Sequence, residues 1–219
     1  MPECEIDPSE KNFPYSTATF AAISALAPII LRWSKRLQVP GIAVAGSIAD
    51  ELNTRAGARA YLDWLQDYVV ISSLPSFAIE TDYRLGSSSK WLNATRHDLG
   101  KGNINLATAR EIYERTPEFF PKSMQSWSEL VAYLLTDEGT TLVAALVIKK
   151  AMAEMKDYLK GRTPEIQEAI LVTYYKQGPR YIDRFRARLA QGRTATLVPG
   201  EGCRVYNQRA QLVKALGSQ

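Results

Sequence analysis

Hydrophobic residues recur at intervals of three and four along most of the chain. This spacing is typical of amphipathic helices rather than strands. It predicts helices at residues 17–37, 41–54 and 59–70, and it resumes after residue 106. The later predicted helices cover residues 107–115, 127–135, 140–159, 164–177, 180–189 and 205–216. The chain is therefore expected to be mainly helical.

The hydrophobic period changes between residues 71 and 102. Short β-prone pieces are separated there by serine, glycine, proline and aspartate, which predicts a loop-rich lobe with a small hairpin. The sequence shows no internal repeat, heptad run or low-complexity linker. We expect a mainly α (α+β) fold with a single domain overall, in which a helical N-terminal segment, residues 1–40, packs on a domain of residues 41–219.

The composition of the 219 residues is that of an ordinary globular protein. Hydrophobic residues make up 46% and charged residues 23%, which excludes disordered and collagen-like classes. The longest strongly apolar stretch, Ala21 to Leu31, is interrupted by Ser24 and Pro28 and is shorter than the roughly 18 residues of a membrane span. We expect a soluble chain without a membrane partner. The acidic N-terminus does not resemble a signal peptide, so ordinary secretory export is not expected.

Basic residues exceed acidic ones by 27 − 23 = 4. This balance favours an acidic partner, such as nucleic acid, an anionic wall polymer or an acidic protein. The excess is too small to choose among these three classes.

Few side chains are available for metal or nucleophilic chemistry. Cys4 and Cys203 are the only cysteines, which excludes a disulfide-dense scaffold and an all-cysteine zinc site. One bridge between them and two separate thiols are both open. His97 is the only histidine, which excludes a Ser-His-Asp triad and a zinc site that uses two histidines. Carboxylate chemistry remains.

Glu51 is the most informative candidate. It follows Ile48 by three positions and Val44 by seven, so an otherwise apolar helix face carries a carboxylate near its end. A carboxyl that is partly desolvated by apolar neighbours has a raised pKa, as a general acid working near neutral pH requires. The alternative is an exposed or salt-bridged glutamate at a helix edge.

A glycine-punctuated turn follows Asp98, and it carries Gly102, Asn103 and Asn105 before a predicted helix. Glycine lets a ligand approach the backbone, and the two amides offer donors and acceptors for sugar groups. The alternative is a structural turn whose asparagines cap the helix. The spacing fits neither a Walker loop nor a dinucleotide-binding turn.

The third candidate motif is Thr173-Tyr-Tyr-Lys-Gln-Gly-Pro179 at the end of a predicted helix. Tyrosines at such a position are usually core residues with a hydrated hydroxyl group. By itself this motif does not predict a function.

The order of the three motifs resembles that of lytic transglycosylases and goose-type lysozymes. In that resemblance Glu51 takes the position of the catalytic acid, the turn at Gly102 that of the glycine motif, and Tyr175-Lys-Gln-Gly-Pro179 that of the tyrosine motif. The sequence departs from the family pattern at three positions. Leu52 stands where serine or threonine is usual, Asn105 replaces glutamine and Lys176 replaces asparagine.

The resemblance implies a lysozyme-like fold and cleavage of the β-1,4 bond between N-acetylmuramic acid and N-acetylglucosamine in peptidoglycan. Glu51 is the implied acid and Asp98 the implied second carboxylate, with Glu80 and Asp82 as alternatives. The outcome is hydrolysis if a second carboxylate positions water, and a 1,6-anhydro product if the muramyl 6-hydroxyl attacks.

The other ligand contacts are also expectations from this resemblance. Gly102, Asn103, Asn105 and Tyr175 are the implied substrate-binding residues. We expect no metal or cofactor at the catalytic centre. Asp82, Asp98 and neighbouring carbonyl oxygens could hold calcium, but their spacing matches no EF-hand.

The glycine turn and its leading aspartate also resemble muramidase toxins that bacteria deliver through type VI secretion. That resemblance implies secretion without a classical signal peptide, action in the periplasm of a target bacterium, and neutralisation by a cognate immunity or inhibitor protein.

The competing hypothesis is a non-enzymatic helical module that binds nucleic acid or protein through the basic segment Lys176 to Arg193. Tyr181 and Phe185 lie among its arginines, as stacking and phosphate contacts would require. Asp183 interrupts the positive charge, so we favour a solvated helix face and do not expect nucleic acid as a partner.

Overall fold

The computed structural model describes Cys4 and residues 14–54, 76–85, 98–121, 124, 126–192 and 197–217. These residues form helices and one small antiparallel sheet, which confirms the mainly helical fold class. The predicted helix at residues 59–70 lies outside the described residues.

The secondary structure has the following bounds. The helices are α1 (Thr17–Leu37), α2 (Gly41–Thr54), α3 (Ser76–Leu85), α4 (Leu106–Arg115), α5 (Trp127–Leu134), α6 (Asp137–Leu159), α7 (Pro164–Gln177), α8 (Pro179–Ala190), α9 (Cys203–Asn207) and α10 (Arg209–Ala215). The strands are β1 (Asp98–Leu99) and β2 (Ile104–Asn105), and a 3₁₀ turn covers Pro117–Phe119.

The chain divides into two compact units. Unit 1 contains Met1–Thr54 and Ala144–Gln219, and unit 2 contains Arg55–Val143. The predicted boundary at residues 40 and 41 does not coincide with this division, because α1 and α2 both belong to unit 1.

In unit 1, α1 packs against α2 and α10, and α2 also packs against α7 and α9. Ser16 begins α1 because its hydroxyl accepts a hydrogen bond from the backbone N–H of Thr19 at 3.1 Å. Pro28 lies inside the continuous helix. Apolar side chains at Ile23, Leu26 and Ile30 repeat at the helical period and are fully buried, so α1 is part of the core of unit 1.

The helix α1 is long and apolar. The helix has 21 residues and contains an 18-residue window of mean hydropathy 1.3, so its length and composition are those of a membrane span. A buried core helix meets the same criterion, and about 39% of the window is buried inside the structure.

In unit 2, β1 and β2 form the predicted hairpin, with Asp98 opposite Asn105 and Leu99 opposite Ile104. Ser126 begins α5 with a full capping box to Glu129. These features agree with the sequence analysis.

Two predictions about secondary structure were wrong in part. Residues 76–85 form α3 inside the segment expected to be loop-rich. This helix carries an ion pair between Glu80 and Arg84 one turn apart. Its periodic signal is weak because polar residues occupy many of its positions and its apolar Phe77 is exposed. The final helix predicted at 205–216 is two helices, α9 and α10, which meet at Gln208.

Cys4 and Cys203 form a disulfide bond, with their Cα atoms 5.2 Å apart. This spacing lies inside the usual range for a bridge. Of the two possibilities that the sequence left open, the structure contains the bridge, which ties the N-terminal segment to the start of α9.

Candidate active site

The last turn of α2 carries two consecutive buried carboxylates. Asp50 is 1% exposed and Glu51 is 7% exposed. Asn53 fixes this end of the helix, since its side-chain oxygen accepts hydrogen bonds from the backbone N–H of Ser16 at 2.8 Å and the hydroxyl of Thr19 at 3.2 Å. The predicted inward position of Glu51 is confirmed, and it has a buried acidic neighbour that the sequence analysis did not select.

Asp50 is the centre of a buried polar cluster in unit 1. Its Oδ1 accepts a hydrogen bond from the hydroxyl of Tyr15 at 3.1 Å. Nη1 of Arg204 lies 3.1 Å from Oδ1 and 3.2 Å from Oδ2, and Nζ of Lys176 lies 2.5 Å from Oδ2. Both carboxylate oxygens are thus satisfied by donors from three separate segments of the chain.

Glu51 joins this cluster through Lys176, whose Nζ lies 3.1 Å from Oε1 of Glu51. Burial acts to lower the pKa of Lys176, but the carboxylates of Asp50 and Glu51 outweigh burial and hold this pKa above its usual value. Lys176 is therefore a cation at neutral pH, shared by two anions.

The four charges of the cluster, on Asp50, Glu51, Lys176 and Arg204, sum to zero. Opposite charges offset the cost of taking each ion out of water. Burial and the negative charge of Asp50 also raise the pKa of Tyr15 well above its usual value, so its hydroxyl stays protonated as a hydrogen-bond donor. We will refer to Tyr15, Asp50, Glu51, Lys176 and Arg204 as the buried charge cluster.

Gly46 lets α9 approach α2 closely enough for Arg204 to reach Asp50. A Cβ at position 46 would lie 2.6 Å from Cγ2 of Val205, which is shorter than any ordinary contact. Val205 itself is 1% exposed and follows Arg204 in α9. A residue larger than glycine at this position would push α9 and its arginine away.

The tyrosine motif at the end of α7 contributes Lys176 to the cluster. Tyr174 is fully buried and donates a hydrogen bond to Oε2 of Glu154 at 2.8 Å, whereas Tyr175 is half-buried. Gly178, at φ +63°, ends the helix before Pro179. The residue of this motif that contacts Glu51 is thus Lys176, and Tyr175 stays a predicted substrate contact.

The glycine turn belongs to unit 2. Gly100 has φ +69°, and a Cβ there would lie 2.3 Å from the backbone oxygen of Leu134, so both conformation and space require glycine. The N–H of Gly102 donates to the hydroxyl of Thr140 at 2.9 Å, and Asn103 has φ +51°. These contacts hold the turn in one conformation.

Asn105 caps α4. Its side-chain oxygen accepts hydrogen bonds from the backbone N–H groups of Ala107 at 3.1 Å and Thr108 at 3.4 Å. The capping alternative from the sequence analysis is therefore present, and Asn105 and Asn103 stay predicted substrate contacts.

Of the proposed second carboxylates, Asp98 lies half-buried in β1. Glu80, in α3, accepts hydrogen bonds from Nε1 of Trp127 and Nε of Arg84. The bond from Trp127 and then that from Arg84 lower the pKa of Glu80. Glu80 is therefore ionised and bonded within unit 2. The side chain of Asp82 lies outside the described residues.

The structure brings the predicted residues together in two groups. Glu51 and the tyrosine motif meet in unit 1, and Asp98, Gly102, Asn103 and Asn105 share the hairpin of unit 2. In the part of the chain that the structure describes, no group of three or more histidine, cysteine, aspartate or glutamate side chains is placed to hold a metal ion.

Sequence reasoning missed Tyr15, Asp50 and Arg204 and assigned Lys176 no role beyond the tyrosine motif and the basic segment. A second acid beside Glu51 in an apolar helix was a visible signal for Asp50. No pattern near Arg204 or Tyr15 indicates their positions, because both reach the cluster only through tertiary packing.

The basic segment proposed for nucleic acid forms α8. Tyr181 and Phe185 are both 9% exposed. The hydroxyl of Tyr181 donates to the backbone oxygen of Val198 at 2.7 Å, and the ring of Phe185 packs edge-on against Tyr158. These rings are therefore used inside unit 1 and do not form a surface on which bases could stack.

No protein family matches the chain, and neither a curated protein nor a solved structure shows significant similarity to it.

Proposed function

We propose that this protein cleaves the glycan strands of peptidoglycan at the β-1,4 bond between N-acetylmuramic acid and N-acetylglucosamine. The observation that carries the proposal is the contact between Glu51 and Lys176. It joins a carboxylate at a helix end to the tyrosine motif, and these are two of the three motifs through which the sequence resembles lytic transglycosylases and goose-type lysozymes.

In this proposal Glu51 is the catalytic acid and Asp50 is structural. Asp50 takes donors on both oxygens and its side chain is 1% exposed, whereas the Glu51 side chain is 9% exposed and contacts Lys176 through one oxygen. Glu51 is an anion in its contact with Lys176, so it would first take up a proton from solvent. It would then donate this proton to the glycosidic oxygen as positive charge develops at C1 of the muramyl residue. Lys176 and Arg204 both pair with Asp50 and neutralise its charge. Glu51 is the more exposed of the two carboxylates.

Asp98 is the proposed second carboxylate. In an inverting hydrolase it would direct a water molecule. If the muramyl 6-hydroxyl attacks instead, the product is the 1,6-anhydro sugar and no water is consumed. Gly102, Asn103, Asn105 and Tyr175 are the proposed sugar contacts.

We also propose that the protein acts in the periplasm of a target bacterium as a secreted effector, and that a cognate inhibitor protein neutralises it. The disulfide between Cys4 and Cys203 supports an oxidising compartment, because such bonds persist there and are rare in a reducing cytosol. No metal or cofactor is required for the proposed acid chemistry.

Mass spectrometry of the fragments released from purified peptidoglycan tests the proposal. We expect muramyl-terminated fragments with the parent protein and none with Glu51→Gln, since glutamine preserves the volume but holds no transferable proton. The variant should stay folded, with a free energy of unfolding lowered by about 1 kcal/mol, because Asp50 still pairs with Lys176.

Glu165→Gln is the matched control, because Glu165 is a more exposed glutamate of the same unit. We expect it to release fragments at the parental rate. If Glu51→Gln released fragments within tenfold of the parent, the assignment of Glu51 would be wrong. A parent protein that releases no glycan fragment would exclude the proposed reaction.

A further inference from the structure

Unit 1 contains a groove, and one of the residues that line it is Gln177, which follows Lys176 in the chain. The groove has a volume of about 220 Å³ and is lined by Gln177, Tyr181, Arg184, Phe185, Arg188, Leu197 and Val198. Such a groove can hold a carboxylate group together with a short aliphatic segment, and it is not part of the buried charge cluster.

The positive charge of the groove comes from one face of α8. Arg184 and Arg188 are four residues apart, so both lie on the same side of the helix. Both side chains are exposed, and among the described residues neither guanidinium forms a salt bridge with a carboxylate. Two guanidinium groups one helical turn apart can bind carboxylates in bidentate fashion.

The rest of the lining is partly apolar. Tyr181 and Phe185 present the edges of buried rings, and Val198 is 50% exposed. One carboxylate faces this region, since Oε2 of Glu201 accepts a hydrogen bond from Nε2 of Gln177 at 3.4 Å. Oε1 of Gln177 accepts one from Arg184. The two guanidinium groups of Arg184 and Arg188 outnumber the one carboxylate of Glu201, so the groove has a net positive charge.

We infer that this groove, lined by Arg184, Arg188 and Gln177, binds an acidic short peptide with aliphatic side chains, namely the stem peptide that muramic acid carries in peptidoglycan. The identity of the ligand rests on the proposed function. Gln177 lines the groove and adjoins Lys176, which contacts Glu51. Lys176 and Gln177 are consecutive in α7, so the groove and the buried charge cluster lie at the same end of this helix.

Nucleic acid fits this groove less well. Binding of single strands combines a track of cations with exposed aromatic faces. Here the two rings are 9% exposed, and the cations of the groove form a single pair rather than a track. A carboxylate with an aliphatic body uses both the guanidinium pair and the apolar wall at Val198.

The test is calorimetric titration of the full chain, carrying Glu51→Gln, with synthetic L-Ala-γ-D-Glu-diaminopimelate tripeptide. We expect the double variant Arg184→Gln/Arg188→Gln to bind this peptide at least tenfold more weakly. A tripeptide with amidated carboxylates should show the same loss with the unchanged groove. Arg186→Gln is the matched control, because Arg186 is an exposed arginine on another face of α8, and it should change binding less than twofold.

Equal binding by the double variant and the Arg186→Gln control would overturn the inference. Displacement of the tripeptide by a short single-stranded oligonucleotide at lower concentration would also overturn it and would assign the groove to nucleic acid. If the peptide bound through Arg184 and Arg188 while the parent cleaved no peptidoglycan, the groove would stand and the proposed glycan cleavage would fail. If the parent cleaved peptidoglycan but did not bind the peptide, the proposed cleavage would be supported and the inference about the groove would be wrong.

Discussion

Lys176 joins the end of α7 to the end of α2, with its ammonium nitrogen 3.1 Å from a carboxylate oxygen of Glu51. The same nitrogen lies 2.5 Å from Asp50. One lysine therefore neutralises two consecutive buried acids. In the resemblance to lytic transglycosylases, Lys176 stands at the position where asparagine is usual.

We expect Lys176→Met to lower the free energy of unfolding by about 3 kcal/mol at pH 8, because Asp50 and Glu51 would stay buried without their shared cation. Urea unfolding across pH measures this change.

The parent protein should lose stability at alkaline pH. The folded-state pKa of Lys176 is raised, so its stabilising contribution is complete below the unfolded value of about 10.4 and is lost as the pH rises through the higher folded value. Lys176→Met should lack this alkaline loss. Lys156→Met, at an exposed lysine of α6, is the control and should unfold like the parent. Equal urea midpoints for both variants would contradict a stabilising role for Lys176.

Gly46→Ala should destabilise the fold by about 1–2 kcal/mol, because the new Cβ would overlap the side chain of Val205. Thermal unfolding measures the change. Gly41→Ala in the same helix is the control, since a Cβ there would lie 3.5 Å from Oγ of Ser34, an ordinary contact. We expect Gly41→Ala to stay within about 0.5 kcal/mol of the parent.

The double variant Gly46→Ala/Val205→Ala separates this overlap from other effects of alanine at position 46. Removing the valine methyl groups should make the Gly46→Ala change nearly neutral in that background. If the cost of Gly46→Ala were the same with and without Val205, the contact between α2 and α9 would not explain it.

Asp98→Asn distinguishes the two possible outcomes of the proposed reaction. In a hydrolase we expect it to abolish incorporation of ¹⁸O from labelled water into the released sugar. In a transglycosylase it should only reduce the yield of the 1,6-anhydro product, because the substrate supplies its own nucleophile. Asp137→Asn is the control, since Asp137 is a half-exposed aspartate that pairs with Lys101 in the same unit. Undiminished incorporation in Asp98→Asn would remove Asp98 from the mechanism.

Local signals predicted much of the fold. Ser16 and Ser126 begin helices by capping, as their residue types and positions indicate. The apolar positions around Glu51 predicted that its carboxylate lies inward, and Glu51 is buried. A small hairpin was predicted at residues 71–102 from short β-prone pieces separated by serine, glycine, proline and aspartate, and the observed hairpin begins at Asp98 and extends to Asn105. Each of these features depends on residues close together in the chain.

The partners of Glu51 could not be predicted in the same way. Lys176 lies in a basic stretch in which most side chains are exposed, and nothing local distinguishes the buried lysine from its neighbours. Arg204 reaches Asp50 because Gly46 admits α9, which is a consequence of packing between distant segments. Helix periodicity identifies a buried face, but it does not identify which charged side chain covers it.

The disulfide between Cys4 and Cys203 leads to the last prediction. The two cysteines are 199 positions apart, and for so long a loop the chain-entropy model gives a stabilisation of about 5 kcal/mol. We expect reductant to lower the thermal midpoint of the parent and to leave that of Cys4→Ser unchanged. Cys203→Ser is the reciprocal control and should behave in the same way.

The bridge also ends at the residue before Arg204, at the start of the helix that contacts Asp50. Loss of the bridge should therefore weaken the buried charge cluster as well as the chain ends. In Lys176→Met this cluster is already disrupted, so reductant should lower the midpoint of that variant less than it lowers the midpoint of the parent. Equal shifts would mean that the bridge stabilises the chain independently of the cluster. Quantitative alkylation of both thiols in the native, non-reduced protein would show that no bridge forms in solution.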